Sequence, residues 1–551
     1  MTTDRHDNYR VYWGDTHHHT YHDPNPKTAV ADILAFAGTH MDFYGGAYYT
    51  GVSSTIPLTN GLEVPTDEPE DGHPHESLAA NTISWKGPFV ESLKSPELLL
   101  KEWKDFQGIT AACNRPGEFV VFPGYEWQGN GRCGDHNVLH KQEGQPIDVP
   151  QTLTELYSCL KGREAIAIPH HTAYRVGFRA PTWAACNESI SPYAEVFSVH
   201  GCSETDEEWI GLRQNSYMGP GVSGGTYQEA LDQGLHLGAI CSTDNSTGMP
   251  GYWGHGLMAC LARQLTRQSL WEAFLARRVY GVTGDRIELD FTCNGAVMGS
   301  ILEPSAARKI RVAVCGADAI DRIEILRNGR VIATHCHQGS WDHVPAGASS
   351  RYKLRIEMGW GPGAGTIPVG SRRWEGQLSI QGGRILGWEP CWISRDQRVL
   401  RCDSEKLQFS MLSRQEYVSR ESQGAIICEF EATPEATLIL RLNGQEIRNS
   451  VGAFAAGSHL LAYADELIER FQKVTGLTPK EVPRSDALYY VYSHKAKLHR
   501  AIPAAGYTAI FEITDDEPLQ TETHYRVRVE QRNGQRAWSS PIWIRKNSRE
   551  R

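Results

Sequence analysis

Along residues 1–290 the apolar positions fall into two alternating textures. Short apolar runs at Tyr9–Trp13, Phe119–Phe122, Ala165–Ile168, Ala194–Val199 and Leu235–Cys241 are bounded by polar, glycine or proline residues and predict buried strands. Between them, helical spacing predicts helices at Thr28–Thr39, Ser95–Ala112, Thr152–Gly162, Gly225–Gln233 and Ser269–Ala276. In the first, Ala29, Ile33, Phe36 and Ala37 share one face. Strand–helix alternation predicts an α/β architecture with parallel strands. Residues 51–86 break the pattern with Pro, Gly, Asn and acidic residues, and read as a lid-like insertion or a disordered loop.

After about residue 290 the texture changes. Asn-Gly pairs stand at 294–295, 328–329, 443–444 and 533–534, and the last three sit between alternating apolar runs. Asn-Gly is the preferred two-residue hairpin turn because both positions need positive φ. Residues 291–551 are therefore expected to form a mostly antiparallel, sandwich-like β domain after a first domain at 1–290. One interruption, His459–Thr475, carries apolar residues at helical spacing and predicts a helix packed on the sheet.

Composition narrows the function. The chain has 551 residues, with 55 Lys and Arg against 65 Asp and Glu, a net charge of −10. That excludes a nucleic-acid partner held by a general basic surface. No apolar run is long enough to span a membrane, so no membrane partner is expected. Met1–Arg10 is polar, which predicts no secretory signal and a cytoplasmic setting. The 13 cysteines are scattered without a C-x-x-C pair, arguing against a zinc ribbon. Of the 22 histidines, 15 fall before residue 290 and five lie between His6 and His22.

The densest chemistry is Tyr12-Trp13-Gly14-Asp15-Thr16-His17-His18-His19-Thr20. In an extended segment Asp15, His17 and His19 point one way and His18 the other. The two imidazoles can reach one divalent ion, with Asp15 placed to orient a ligand histidine. Other clusters also follow strand candidates: Gly124-Tyr125-Glu126-Trp127, Gly134-Asp135-His136-Asn137, Pro169-His170-His171-Thr172 and Ser242-Thr243-Asp244-Asn245. In a parallel β/α barrel such groups gather at the C-terminal strand ends. An N/O donor set without thiolate favours Zn, Mn or Fe.

Gly14-Asp15-x-His17-x-His19-Thr20 resembles the first motif of the PHP (polymerase and histidinol phosphatase) superfamily. The later clusters, Tyr280–Ile287 and Ala537-Trp538-Ser539-Ser540-Pro541-Ile542-Trp543 are similar to a large PHP-like branch of unknown function. The resemblance implies a distorted (β/α)7 barrel, hydrolysis of a phosphoester by metal-bound hydroxide, and metal ligation by His17, His19, Glu126, His136, His171 and Asp244. Three positions depart from the family pattern. Tyr49 stands where the second motif has its ligand histidine, Ser246 replaces the late histidine, and no histidine falls near Asp23–Asn25. The departures together imply that the third metal is missing and that one or two divalent ions remain. The alternative is that His40, His22 or Asp23 fills the gap.

His170, Arg175 and His200 are candidates for proton transfer or charge stabilisation. Glu195 and Glu204, on and after one predicted strand, are candidates for an added ligand or a substrate contact. Tyr48, Tyr49, Tyr125, Trp127 and Tyr174 near the motifs favour a small organic substrate. Only Arg132, Arg175 and Arg179 lie near the motifs, fewer cations than phosphate recognition prefers. The leading expectation is a metal-dependent phosphoester hydrolase. Ester, amide or lactone hydrolysis, or ligand binding by a non-catalytic site, are the alternatives.

Overall fold

A computed structural model describes residues 9–21, 29–50, 94–129, 131–177, 179–207, 220–246, 248–341, 343–361, 371–413, 423–478, 480–481, 493–519 and 521–546. The 51–86 insertion, His22, Asp23 and Asn25 lie outside the described residues. The chain divides into two compact units, one of residues 1–314, 321–336 and 510–551, the other of 315–320 and 337–509. The first unit thus takes chain from both sides of residue 290.

The first unit contains β1 (Arg10–Thr20), α1 (Val30–Ala37), β2 (Phe43–Tyr49), α2 (Pro96–Cys113), β3 (Val120–Phe122), β4 (Gly124–Trp127), β5 (His136–His140), α3 (Leu153–Leu160) and β6 (Ala165–Pro169). It continues with β7 (Tyr193–Ser198), β8 (Gly201–Cys202), α4 (Tyr227–Asp232), β9 (Gly238–Cys241), β10 (Leu257–Ala262), α5 (Arg267–Leu275) and β11 (Val279–Val282). The helices start where capping residues stand. Ser95 accepts from the Leu98 N–H ahead of Pro96, and Thr152 with Glu155 forms a reciprocal capping box. Along α2 the buried Leu99, Trp103, Phe106 and Thr110 form the inward stripe.

The strand order differs from an all-parallel arrangement. β1–β2, β2–β3, β2–β4 and β7–β9 are parallel, but β10–β1, β10–β11, β4–β5 and β5–β6 are antiparallel. The reason is local: only Gln128–Asp135 separate β4 from β5, too few residues for a parallel crossover. The ladder runs β11-β10-β1-β2-β4-β5-β6, with β8-β7-β9 as a separate sheet, and no closed ring forms among the described residues. The C-terminal strand Arg536–Ser539 pairs with β11, setting Trp538 opposite Gly281. Phe43, Phe122, Ile166, Ile168, Ile240, Met258 and Phe274 pack into one buried core.

The second unit is dominated by one nine-stranded sheet, antiparallel throughout its described pairs. Its strands Arg372–Cys391 and Gly424–Leu442 are long, and their pairing slips at Gln381/Gly383 and Ile385/Gly387. Of the Asn-Gly pairs, 294–295, 328–329 and 443–444 have both residues at positive φ, whereas at 533–534 only Gly534 does. The helix expected from His459 begins at Asp465. His459–Ala462 is instead a strand pairing Lys495–Leu498, because a free sheet edge takes those residues first. No described helix is long and apolar enough to cross a membrane.

Candidate metal centre

The end of β1 supplies the first donors. Its alternation places His18 on the far side, where its Nδ1 lies 3.1 Å from the Tyr44 hydroxyl. Asp15 is fully buried. Its Oδ1 accepts from the backbone N–H of His17 at 3.0 Å and of Thr243 at 3.2 Å. Oδ2 accepts from Thr243 Oγ1 at 2.6 Å and from Gly251 N–H at 2.9 Å. The expected imidazole-orienting role of Asp15 is therefore corrected. Its short side chain is consumed by backbone N–H groups, one only two residues ahead, and it ties β1 to the loop after β9. The carboxylate on the His17 ring is Glu195, whose Oε2 lies 2.9 Å from Nδ1.

Around these residues, imidazoles and carboxylates converge. His17 Nε2 lies 3.2 Å and His19 Nε2 3.7 Å from Asp244 Oδ1. His19 Nε2 is 2.8 Å from Glu126 Oε2, and His170 Nε2 is 3.5 Å from Glu126 Oε1. His171 Nε2 is 3.3 Å from Asp135 Oδ2. His200 joins Asp244 Oδ2 through Nε2 at 3.1 Å and the Tyr174 hydroxyl through Nδ1 at 2.8 Å. Ligand atoms within 4.8 Å of one another form three groups: His17, His19 and Glu126; Asp135, His170 and His171; His17, Glu195 and Asp244.

The geometry assigns the other expected residues in turn. In the β4–β5 hairpin Trp127 pairs His136 and Glu126 pairs Asn137. Paired residues share a face, so His136 lies with Trp127, its ring 5.8 Å away, and joins none of the three groups. Asp135, one residue earlier, stands on the Glu126 side. Strand alternation would also part His170 from His171. It does not, because the strand ends at Pro169 and His171 has φ +35. Arg175 is exposed and belongs to none of the groups, whereas Arg179 pairs with Asp135. Glu204 faces Arg526 and Arg528 and accepts from the Trp538 indole at 2.8 Å, a structural role.

Tyr49 sets its ring 5.1 Å from His19, and Ser246 is exposed. His40 lies elsewhere, its two ring nitrogens each 3.1 Å from the carbonyls of Phe36 and Pro250. Of the aromatic candidates, Tyr48 bonds Glu102, Tyr125 meets the Asp148 N–H and Trp127 donates to the Pro150 carbonyl. Tyr49 and Tyr174 are the two that lie against the donor cluster. Sequence reasoning did not single out Asp135 or Arg179 for the site. Asp135 stands within its motif, but its side is set by hairpin register; Arg179 stands among the three arginines near the motifs, and nothing local separates it from Arg132 and Arg175.

Burial governs the electrostatics. It pushes the carboxyls of Glu195 and Asp244 above their ordinary range, and Asp135 likewise against the pull of Arg179. Burial would also raise Glu126, but His19 and His170 hold it well below. Burial keeps the imidazoles of His17, His170 and His171 low and therefore neutral, the ligating form. His17 Nε2, Glu126 Oε2, Asp135 Oδ1, both His170 nitrogens, Glu195 Oε1 and Asp244 Oδ2 are buried without aligned hydrogen bonds among the described residues. His19 differs, because Glu126 raises its pKa against burial. Three neutral imidazoles and crowded carboxyls converging on one place, with a proton drawn onto His19, fit a divalent cation that would take that proton's place.

No protein-family profile matches the chain. A curated protein of Chlamydia pneumoniae, itself uncharacterized, is 27% identical over 257 residues, covering 42% of this chain and 40% of that one. An uncharacterized protein of Chlamydia trachomatis serovar D is 28% identical over 204 residues, 34% of this chain and 32% of that one. The chain thus matches less than half the length of either relative. Among solved structures, a two-domain Bacteroides vulgatus protein containing a predicted PHP-like metal-dependent phosphoesterase shares 10% identity, covering 59% of this chain and 82% of that one with a TM-score of 0.29. At that level the likeness carries no argument about chemistry.

Proposed function

We propose that this chain is a metal-dependent hydrolase acting on a phosphoester of a small organic molecule. One observation carries the reading: imidazole and carboxylate donors, almost all buried, converging at 2.8–3.7 Å from several strands and the residues beside them. His17, His19 and Glu126, with Asp244, would hold one ion, and Asp135, His170 and His171 a second. Such an ion polarises the electrophile and acidifies a coordinated water. Glu195 fixes the His17 ring from behind, which sets its tautomer. His200, between the Tyr174 hydroxyl and Asp244, is held neutral by burial, which lowers its pKa to about 3, and is placed to relay a proton by accepting on one ring nitrogen and releasing from the other. His170, for which the sequence suggests proton transfer, is assigned a ligand role because it lies among the donors.

The PHP resemblance and its distorted barrel belong to the same reading. Support comes from the seams between the two sheets of the first unit. Asp244 N–H donates to the His17 carbonyl at 2.6 Å and Ala167 N–H to the Ile190 carbonyl at 2.9 Å, bringing the residues after β9 to β1 and those before β7 to β6.

Metal analysis of the purified protein, coupled to phosphomonoesters, phosphodiesters, carboxylic esters and amides, tests the proposal. Bound Zn, Mn or Fe, with phosphoester cleavage lost in His17→Ala and Glu126→Gln, is the expected result. Protein that binds no transition metal and is unchanged by either substitution would end it. Cleavage of esters or amides alone would replace the phosphoester.

A further inference from the structure

Arg179 is the described guanidinium that meets the donor cluster directly, through Asp135. Its charge is also felt by Glu126, Tyr49 and Asp244. Three features set it apart from a structural arginine. The backbone is left-handed, with φ +68, while the Arg179 N–H donates to the Gly131 carbonyl at 2.7 Å. Glycine would hold that conformation without strain, so the position requires the side chain rather than the turn. Its Nε–H is buried and has no hydrogen-bond partner among the described residues, although Nη2 is engaged by Asp135. Burying a guanidinium N–H unpaired is unfavourable unless a ligand supplies the acceptor. Finally, the side chain is 28% exposed while Asp135 is fully buried, so Arg179 stands at the edge of the donor cluster rather than within the core.

We infer that Arg179 is the anion clamp of the site, taking a non-bridging phosphoryl oxygen of the substrate on its unspent Nε–H. This rests on the phosphoester reading above and names the group that would hold the phosphoryl oxygen. A planar guanidinium suits that task because its fixed fork matches a tetrahedral oxyanion. It also explains how a site with few surrounding cations can accept phosphate. Asp135 keeps the guanidinium in place, and Tyr49 lies within its field on the side of His19.

The test uses the full chain loaded with the metal it retains and follows binding of inorganic phosphate by calorimetry, alongside metal content and melting temperature. Arg179→Gly suits the backbone and removes the guanidinium; Arg179→Lys keeps a charge without the fork. The expected result is at least tenfold weaker phosphate binding in Arg179→Gly, an intermediate value in Arg179→Lys, and wild-type metal content in both. Phosphate binding unchanged in both variants, in a wild type that cleaves phosphoesters, overturns the clamp and leaves the function standing. Loss of metal in Arg179→Gly also overturns it, because the arginine then serves only to hold Asp135. A metal-loaded wild type that neither binds phosphate nor cleaves phosphoesters ends both.

Discussion

Both units pair buried charges, as Arg526 does with Glu204 in the first, but among the described residues the first also gathers a cluster of carboxyls and imidazoles. Two pairs represent the second. Lys353 meets Glu389 and donates to the Gly316 carbonyl at 2.8 Å, and His499 meets Glu357 at 2.7 Å. Its described non-glycine positive φ is confined to Asn443, in a hairpin turn. In the first unit, Glu126, Asp135, Glu195 and Asp244 crowd together with neutral imidazoles, and His171, Arg179 and Asp244 all have positive φ. Matched pairs stabilise a scaffold, whereas unmatched donors on strained backbone mark a place kept for a ligand.

The largest expected effects come from supplying or removing that ligand. At a thousandfold excess over its dissociation constant, a metal would stabilise the protein by about 4 kcal/mol. In thermal unfolding with and without chelator, the wild type should shift, while His17→Ala and Glu126→Ala should not. A chelator-independent melting temperature in the wild type would erase the contrast between the units.

Next is a buried pair of the second unit. Lys353→Met leaves Glu389 without its cation and should cost about 3 kcal/mol in denaturant unfolding, with metal content unchanged. The double change Lys353→Met with Glu389→Leu should recover most of the loss. A metal content that falls with Lys353→Met would show that the units are not separate in function.

Acid should expose a third difference, within the first unit. His524 is buried, and burial lowers its pKa to about 4, below the ordinary 6.5, with Glu522 opposing and His236 assisting. The unfolded chain therefore binds the proton more readily. Stability from this group is full above pH 6.5 and falls as the pH drops towards 4, by on the order of 3 kcal/mol. His524→Phe should flatten that part of the pH–stability curve; an unchanged slope would place the acid sensitivity elsewhere.

Glu195→Gln comes next in size. Weakening the carboxylate behind His17 should lower metal affinity roughly 10- to 100-fold, with the fold intact by circular dichroism. Unchanged affinity would show that Glu195 does not set the ring.

Much of this site was legible in the sequence, and the gaps have physical causes. Alternation along β1 correctly placed His17 and His19 together and His18 apart, because a strand's period is local. The choice of His136 over Asp135 went differently because it depends on hairpin register against β4, a non-local pairing. His170 and His171 escape alternation through one left-handed residue. β2 was hidden by Gly45 and Gly46. Gly46 is required because a Cβ there would stand 2.4 Å from the Phe106 ring, a contact made by a distant helix. The strand around Trp538 was visible as a motif, but its partner β11 lies more than 200 residues earlier, and pattern alone does not name a partner.

The smallest expected effect bears on whether the first unit's unmatched groups serve chemistry or only ligation. Tyr174 touches no atom of the three donor groups through its hydroxyl bond; it reaches His200, and His200 reaches Asp244. If His200 only ligates or only packs, removing one hydroxyl behind it should alter metal content or melting temperature and leave turnover per bound metal unchanged. If His200 passes a proton, Tyr174→Phe should cost about 1 kcal/mol, the value of one hydrogen bond, and so lower kcat roughly fivefold at constant metal content. Steady-state kinetics on metal-matched samples separates the two. Unaltered kcat would return His200 to a positioning role and leave Arg179 as the cluster's link to the substrate.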